Sequence, residues 1–327
     1  MKRALSLILR IAVAAVSLAF IGWKVHDQLT DGTVSFSILA VWPVLAAVAL
    51  MPLNWLVEAV KWRVLTAHLQ RLSLWQATKS VLAGLAVSML TPNRVGDFAG
   101  RIALLKPENR TAGAMTAFVG GYAQMLAIAA LGIVAFALKP VLPDFLSATA
   151  DHYVLTMSLL LIFITALVGF YFSARLLAAK FKFSRWPWFE KFVGAAGQHT
   201  NHQLTDTLFL SLCRSVIFIF QLQLMLQSFG ISLEPIDAFR SIALMYCFVS
   251  VIPTFALAEW GVRGSMALLF IVPLGGQPTQ IVAASVALWI VNVAVPAAVG
   301  AVVGVWGNRR GVTNFRKNFR GGCHFFL

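Results

Sequence analysis

Two stretches of this chain carry residue types that apolar sequence tolerates only when they are used. The first runs Lys79-Ser80, then Thr91-Pro92-Asn93-Arg94-Val95-Gly96-Asp97, then Arg101. The second runs Arg240-Ser241, then Pro253-Thr254, then Ala258-Glu259 and Arg263. In each, a proline breaks the helix by removing a backbone donor. Beyond it an acid precedes an arginine by four residues, one helical turn, so the two can pair on one face. Backbone groups freed at a break inside a membrane need partners, and Thr91 and Asn93 are of the type to supply them. Gly96 lets another backbone approach. A guanidinium fork meets a phosphate with two parallel hydrogen bonds. The chemistry indicated is anion recognition. Arg94, Arg101 and Arg263 are the candidate binding cations, with Asn93, Thr91 and Thr254 beside them. Asp97 and Glu259 either tune those arginines or carry a coupling proton. The plainer alternative is that each acid–arginine pair neutralises itself and pins the local fold. Broken segments repeated in two halves of a membrane protein point to a transport site.

The elements that must position these residues are membrane helices. Of 327 residues, 59% are hydrophobic and 12% charged, and the mean hydropathy is +0.81. A soluble domain carries about twice that charge fraction. Runs long enough to span lie at roughly 4–24, 36–60, 111–138, 152–174, 205–229 and 279–306. The first follows Lys2 and Arg3 and reads as a retained helix rather than a cleaved signal. Two further stretches, 76–91 and 236–252, end at Pro92 and Pro253. At about 1.5 Å per residue they fall short of a ~30 Å hydrocarbon core. Each is followed by another apolar piece, 97–105 or 259–273, so each pair reads as a re-entrant hairpin.

Basic residues support that reading. With the amino terminus inside, the loops carrying Lys61, Arg63, Arg71, Lys79, Lys106 and Arg110, then Arg175 to Lys191, and the tail from Arg309 to Arg320 all fall on one face. The expected fold is all-α and integral to the membrane: six transmembrane helices plus two re-entrant broken-helix hairpins in inverted repeats. The membrane domain covers 1–306, with halves at about 1–140 and 150–306, and 307–327 is a basic cytoplasmic tail. Both termini are expected in the cytoplasm. The net charge of +14 fits positive-inside topology and anionic head groups, not nucleic acid.

Other polar residues are secondary. Asn54, Glu58, Lys61, Trp62 and Arg63 close the second run; Glu58 is a candidate pairing acid, with an interfacial helix end as the plainer reading. Tyr122, Gln124, Arg214, Gln221, Gln223 and Asn292 read as hydrogen-bonding groups between helices. His199 and His202 read as solvated, and 175–204 as an interfacial loop. Cys213, Cys247 and Cys323 show no metal or disulfide spacing. No nucleotide motif, metal cluster or nucleophile–base set is visible, so no cofactor and no metal are expected, and the chain is not expected to be an enzyme.

Asn54–Glu58–Trp62–Arg63, Thr91-Pro92-x-Arg94-x-Gly96-Asp97 with Arg101, and Ile252-Pro253 with Glu259 and Arg263 together resemble the flippase-like family of the lysylphosphatidylglycerol synthase transmembrane region, over about residues 5–306. The resemblance implies a multi-pass protein of the cell (inner) membrane linked to lipid translocation. Synthetase members add an aminoacyl-transfer domain that is not seen here, so synthase activity is not expected. Tyr122 and Gln124 stand where many members carry charge. The expected function is a flippase moving an anionic phospholipid or lipid-linked intermediate by alternating access. The alternative is a non-transporting membrane scaffold for a lipid-modifying enzyme partner.

Overall fold

Long apolar runs with few helix breakers can satisfy their backbone in lipid only as helices. The computed structural model describes residues 40–89, 91, 95–139, 141–143, 152–180, 187–252 and 256–307, and all the regular structure among them is helical. In chain order the helices are α1 (Val41–Thr66), α2 (Leu74–Ser88), α3 (Val95–Ile102), α4 (Arg110–Ala137), α5 (Tyr153–Lys180), α6 (Pro187–Gly197), α7 (Asn201–Ser228), α8 (Pro235–Val251), α9 (Ala256–Ile271), α10 (Pro278–Trp289) and α11 (Val295–Gly307). A π-turn over Ile290–Ala294 joins the last two. It lies just before Pro296, whose missing N–H disturbs the ladder one turn earlier.

Among the described residues, five segments are long and apolar enough to cross a membrane: Val41–Thr66, Pro107–Ala137, Tyr153–Ser173, Asn201–Ser228 and Pro278–Val302. They match five of the six expected spans; the first, 4–24, lies outside the described residues. α5 turns Val154, Leu155, Leu159, Ile162 and Phe163 outward, as a lipid-facing helix should.

Two expectations about element ends need correction. The second run does not close at residue 60: α1 continues to Thr66, so Glu58 lies about two turns inside it. Its carboxylate is tolerated there because three cations surround it. The 175–204 stretch is also not simply a loop. Pro187, which needs no intrahelical donor at a first turn, opens α6. Val193 and Ala196 of α6 pack with Tyr171, Leu204 and Leu65.

α1 and α7 pack closely against each other. Gln221 of α7 donates to the Ala47 carbonyl at 2.8 Å and accepts from Asn292 at 2.8 Å, which is the interhelical bonding expected of it. α2 and α3 form one closely packed pair and α8 and α9 another. The first pair leans on α11, where Gly300 sits against the Leu82 carbonyl. The second leans on α4, where Gly132 meets Cys247. The largest core cluster surrounds α8 and α9 and includes Leu222, Met225, Ile242, Met245, Leu268 and Phe270.

Candidate functional site

Pro92, Asn93, Arg94, Pro253 and Thr254 lie outside the described residues, so the two breaks are seen through their flanks. α2 ends at Ser88, and Thr91 ties that end to the start of α3. Its hydroxyl accepts from the Gly96 N–H at 2.7 Å and lies 3.4 Å from the Val87 and Ser88 carbonyls. Thr91 therefore does the backbone work expected at a break. α3 packs so tightly on α2 that a β-carbon at Gly96 or Gly100 would strike the Val87 or Ala83 carbonyl. Gly96 is needed for that approach, not for conformational freedom.

Both acid–arginine pairs form. Arg101 Nε donates to Asp97 Oδ1 at 3.0 Å, with Nη2 2.8 Å from Oδ2. Arg263 reaches Glu259 Oε1 through Nε at 2.8 Å and Nη2 at 2.7 Å. The first pair belongs to a larger network. Arg101 Nη1 lies 2.6 Å from Glu58 Oε1, while Lys61 Nζ and Arg214 Nη1 reach Oε2 at 2.8 and 3.0 Å. Arg214 Nε also donates to Asn54 Oδ1 at 2.8 Å. Lys61 is 3.4 Å from both Gln124 Oε1 and Ser211 Oγ. Glu58 and Lys61 are only 3% and 2% exposed, so these charges survive in low dielectric through mutual contact. Arg101 is buried and held by both Asp97 and Glu58.

Open space lies elsewhere. A cavity of about 460 Å³ sits among α4, α7, α8 and α9. Its lining mixes polar side chains, Arg214, Arg263, Glu259, Tyr246 and Gln124, with apolar ones, among them Ile128, Leu131, Phe218 and Ile219. Arg263 lies 5.7 Å from the centre of the Tyr246 ring. Thus, of the sequence candidates, Arg263 and Glu259 line a chamber, whereas the buried Arg101 and Glu58 join the half-buried Asp97 in an ion-pair tie outside its lining.

Arg214 was missed as a site residue. It is the side chain that joins tie and chamber, since it holds Glu58 and also lines the cavity. Its signal was present: an arginine in the middle of an apolar span is a functional candidate by default. Gln124 and Ser215, bonded at 2.7 Å, flank it. The reading of His199 as solvated is also wrong. It is 1% exposed, with ring nitrogens 2.9 Å from the Ala195 carbonyl and 3.1 Å from the Leu65 carbonyl, and His68 lies edge-on at 4.6 Å. Burial holds its pKa below the ordinary histidine value. His202 is exposed and pairs with Asp206 at 2.9 Å. No group of His, Cys, Asp and Glu suited to a metal occurs among the described residues.

An all-helical array with buried ion pairs and a partly polar chamber among its apolar helices defines a multi-pass membrane protein. The chain belongs to the family described as the lysylphosphatidylglycerol synthase TM region, which it matches over residues 7–300. No curated protein matches it.

Proposed function

We propose that this protein carries an anionic or lipid-linked head group across the cell membrane by alternating access and is not itself an enzyme. The observation that carries the reading is the chamber: its lining combines Arg214, Arg263 and other polar side chains with apolar ones, and two of its helices, α4 and α7, are able to span the bilayer. A head group needs the polar residues and its lipid tail the apolar ones.

On this reading the chain has two inverted halves with six spans, two re-entrant helix pairs and both termini cytoplasmic; the packing of the two helix pairs agrees with the inversion. α1 and α7, each shortly before a broken pair in the chain, pack on one another. The α2–α3 pair leans on α11 in the far half, and the α8–α9 pair leans on α4 in the near half. Such an exchange of partners between halves is what inverted repeats produce. Cysteines placed near Lys106 and Glu234 should label from opposite faces; labelling of both from one face sinks the inverted arrangement.

The scaffold reading draws on the tie, whose acids and bases are satisfied by one another. Reconstitution in vesicles with labelled lipids of several head groups separates the two. Transport of an anionic or lipid-linked substrate by wild type is the expected result. Silence across that panel, with folded protein, leaves the scaffold for a lipid-modifying enzyme.

A further inference from the structure

α1 and α7 run antiparallel along a seam that carries polar contacts at three levels. His199, just before α7, places Nε2 3.1 Å from the Leu65 carbonyl near the end of α1. Further along, Lys61 Nζ lies 3.4 Å from Ser211 Oγ, and Arg214 reaches Glu58 Oε2 at 3.0 Å and Asn54 Oδ1 at 2.8 Å. Beyond them Gln221 donates to the Ala47 carbonyl. Asn54, Glu58, Lys61, Ser211 and Gln221 are all buried. Charge is a poor way to close a seam for good. Buried ion pairs cost desolvation, and apolar side chains of similar volume hold two helices at least as well. Ionisable residues inside a membrane mark paths for polar solutes.

The middle of this seam adjoins the chamber. Arg214 lines the chamber from α7, and Gln124, 3.4 Å from Lys61 Nζ, lines it from α4, whereas none of its described lining residues belongs to α1. Elsewhere the lining is exposed, at Ser250 and Val251 where α8 ends. We infer that the α1–α7 seam is a closed head-group path: it parts from its Leu65–His199 end up to the chamber, and Asn54, Glu58, Lys61, Ser211 and Arg214 then line the way for a polar or charged head group. The contacts of Arg214 with Glu58 and Asn54 are its latch. When they part, Glu58 keeps Lys61 on α1 and Arg101 on α3, so the acid is not left bare. A seam of apolar residues could close the chamber but could not pass a head group once open. This deepens the transport reading and rests on it only for what passes along the path.

The test follows labelling of Ser211→Cys by a water-soluble maleimide. The full chain, with Cys213, Cys247 and Cys323 replaced by alanine, is reconstituted in vesicles of phosphatidylcholine and phosphatidylglycerol with reagent on both sides. Ser211 is 0% exposed and lies on the seam; Ala284→Cys, at 0% exposure in the core around α8 and α9, is the control. Ser211→Cys should label at least about tenfold faster than Ala284→Cys, as a seam that opens part of the time requires. Arg214→Gln removes the latch and should raise the Ser211→Cys rate roughly 10- to 100-fold while leaving Ala284→Cys unchanged. Should that variant not fold, a clip decides the matter. A short bifunctional thiosulfonate joining His68→Cys to His199→Cys, whose native rings lie 4.6 Å apart, should stop flipping of labelled phosphatidylglycerol and phosphatidylcholine until it is reduced. Labelling of Ser211→Cys no faster than Ala284→Cys, or an equal rise of both in Arg214→Gln, overturns the inference. Fast labelling of Ser211→Cys without flipping of either lipid by the unclipped protein counts against transport and leaves the opening seam standing. Flipping at full rate under the clip refutes the seam alone.

Discussion

The two broken helix pairs carry the same local chemistry and do different things with it. In α2–α3 the acid–arginine pair is drawn into a buried tie: Arg101 is held by Asp97 on its own helix and by Glu58 on α1. In α8–α9 the equivalent pair, Glu259–Arg263, lines the chamber. The difference comes from the neighbouring helix. α1 presents a carboxylate to α3, whereas the chamber opens beside α9. A repeated motif fixes a local ion pair, and its surroundings decide whether that pair is structural or accessible.

The largest expected effect breaks the tie itself. Glu58→Ala strands Lys61, Arg101 and Arg214 without their shared acid and should cost about 3–5 kcal/mol or prevent folding. Glu259→Ala removes the carboxylate that Arg263 holds, beside a chamber that can admit water, and should cost about 1–3 kcal/mol. Thermal unfolding in one detergent compares them, and equal losses would erase the distinction between the two pairs.

Double-mutant cycles sharpen the comparison next. Removing Arg263 along with Glu259 should recover most of the single-mutant loss, because Arg263 holds Glu259 through two nitrogens. Removing Arg101 along with Asp97 should recover less, because Glu58 then loses a partner. Recovery of the same size in both pairs would mean that Glu58 contributes nothing to the first.

A smaller effect concerns the close approach of α2 and α3. Gly100→Ala drives a methyl group into the Ala83 carbonyl and should cost about 1–3 kcal/mol through forced separation. A neutral result by thermal unfolding would show that the pair can open at little cost.

The smallest effect lies outside both pairs, where α1 and α6 end against His199. Its folded pKa lies below the ordinary value near 6.5, so as pH falls through about 6.5 the unfolded chain takes the proton first. The stability associated with neutral His199 is present above that pH and declines below it. His68 is shifted the same way, by burial and by His199 beside it. Wild type should therefore melt lower at pH 5 than at pH 7.5, and His199→Gln should flatten the difference. An unchanged slope in that variant would remove His199 as its source.

Local spacing determined much of this protein. Apolar run length set five of the spans, prolines marked both breaks, and four-residue intervals placed Asp97 with Arg101 and Glu259 with Arg263. These are short-range facts that depend on helix rise and on the cost of bare backbone in lipid. Tertiary structure decided what each charge serves. Glu58 looked like the end of a helix because its partners Arg101 and Arg214 lie 43 and 156 residues away. Arg214 looked like ordinary interhelical polarity because nothing near it in sequence is acidic enough to pair with it, and His199 looked solvated because its neighbours in the chain are polar. The division between a buried tie and an open chamber exists only once α1, α3 and α7 meet, because burial and charge balance belong to the assembled helices and not to any one of them.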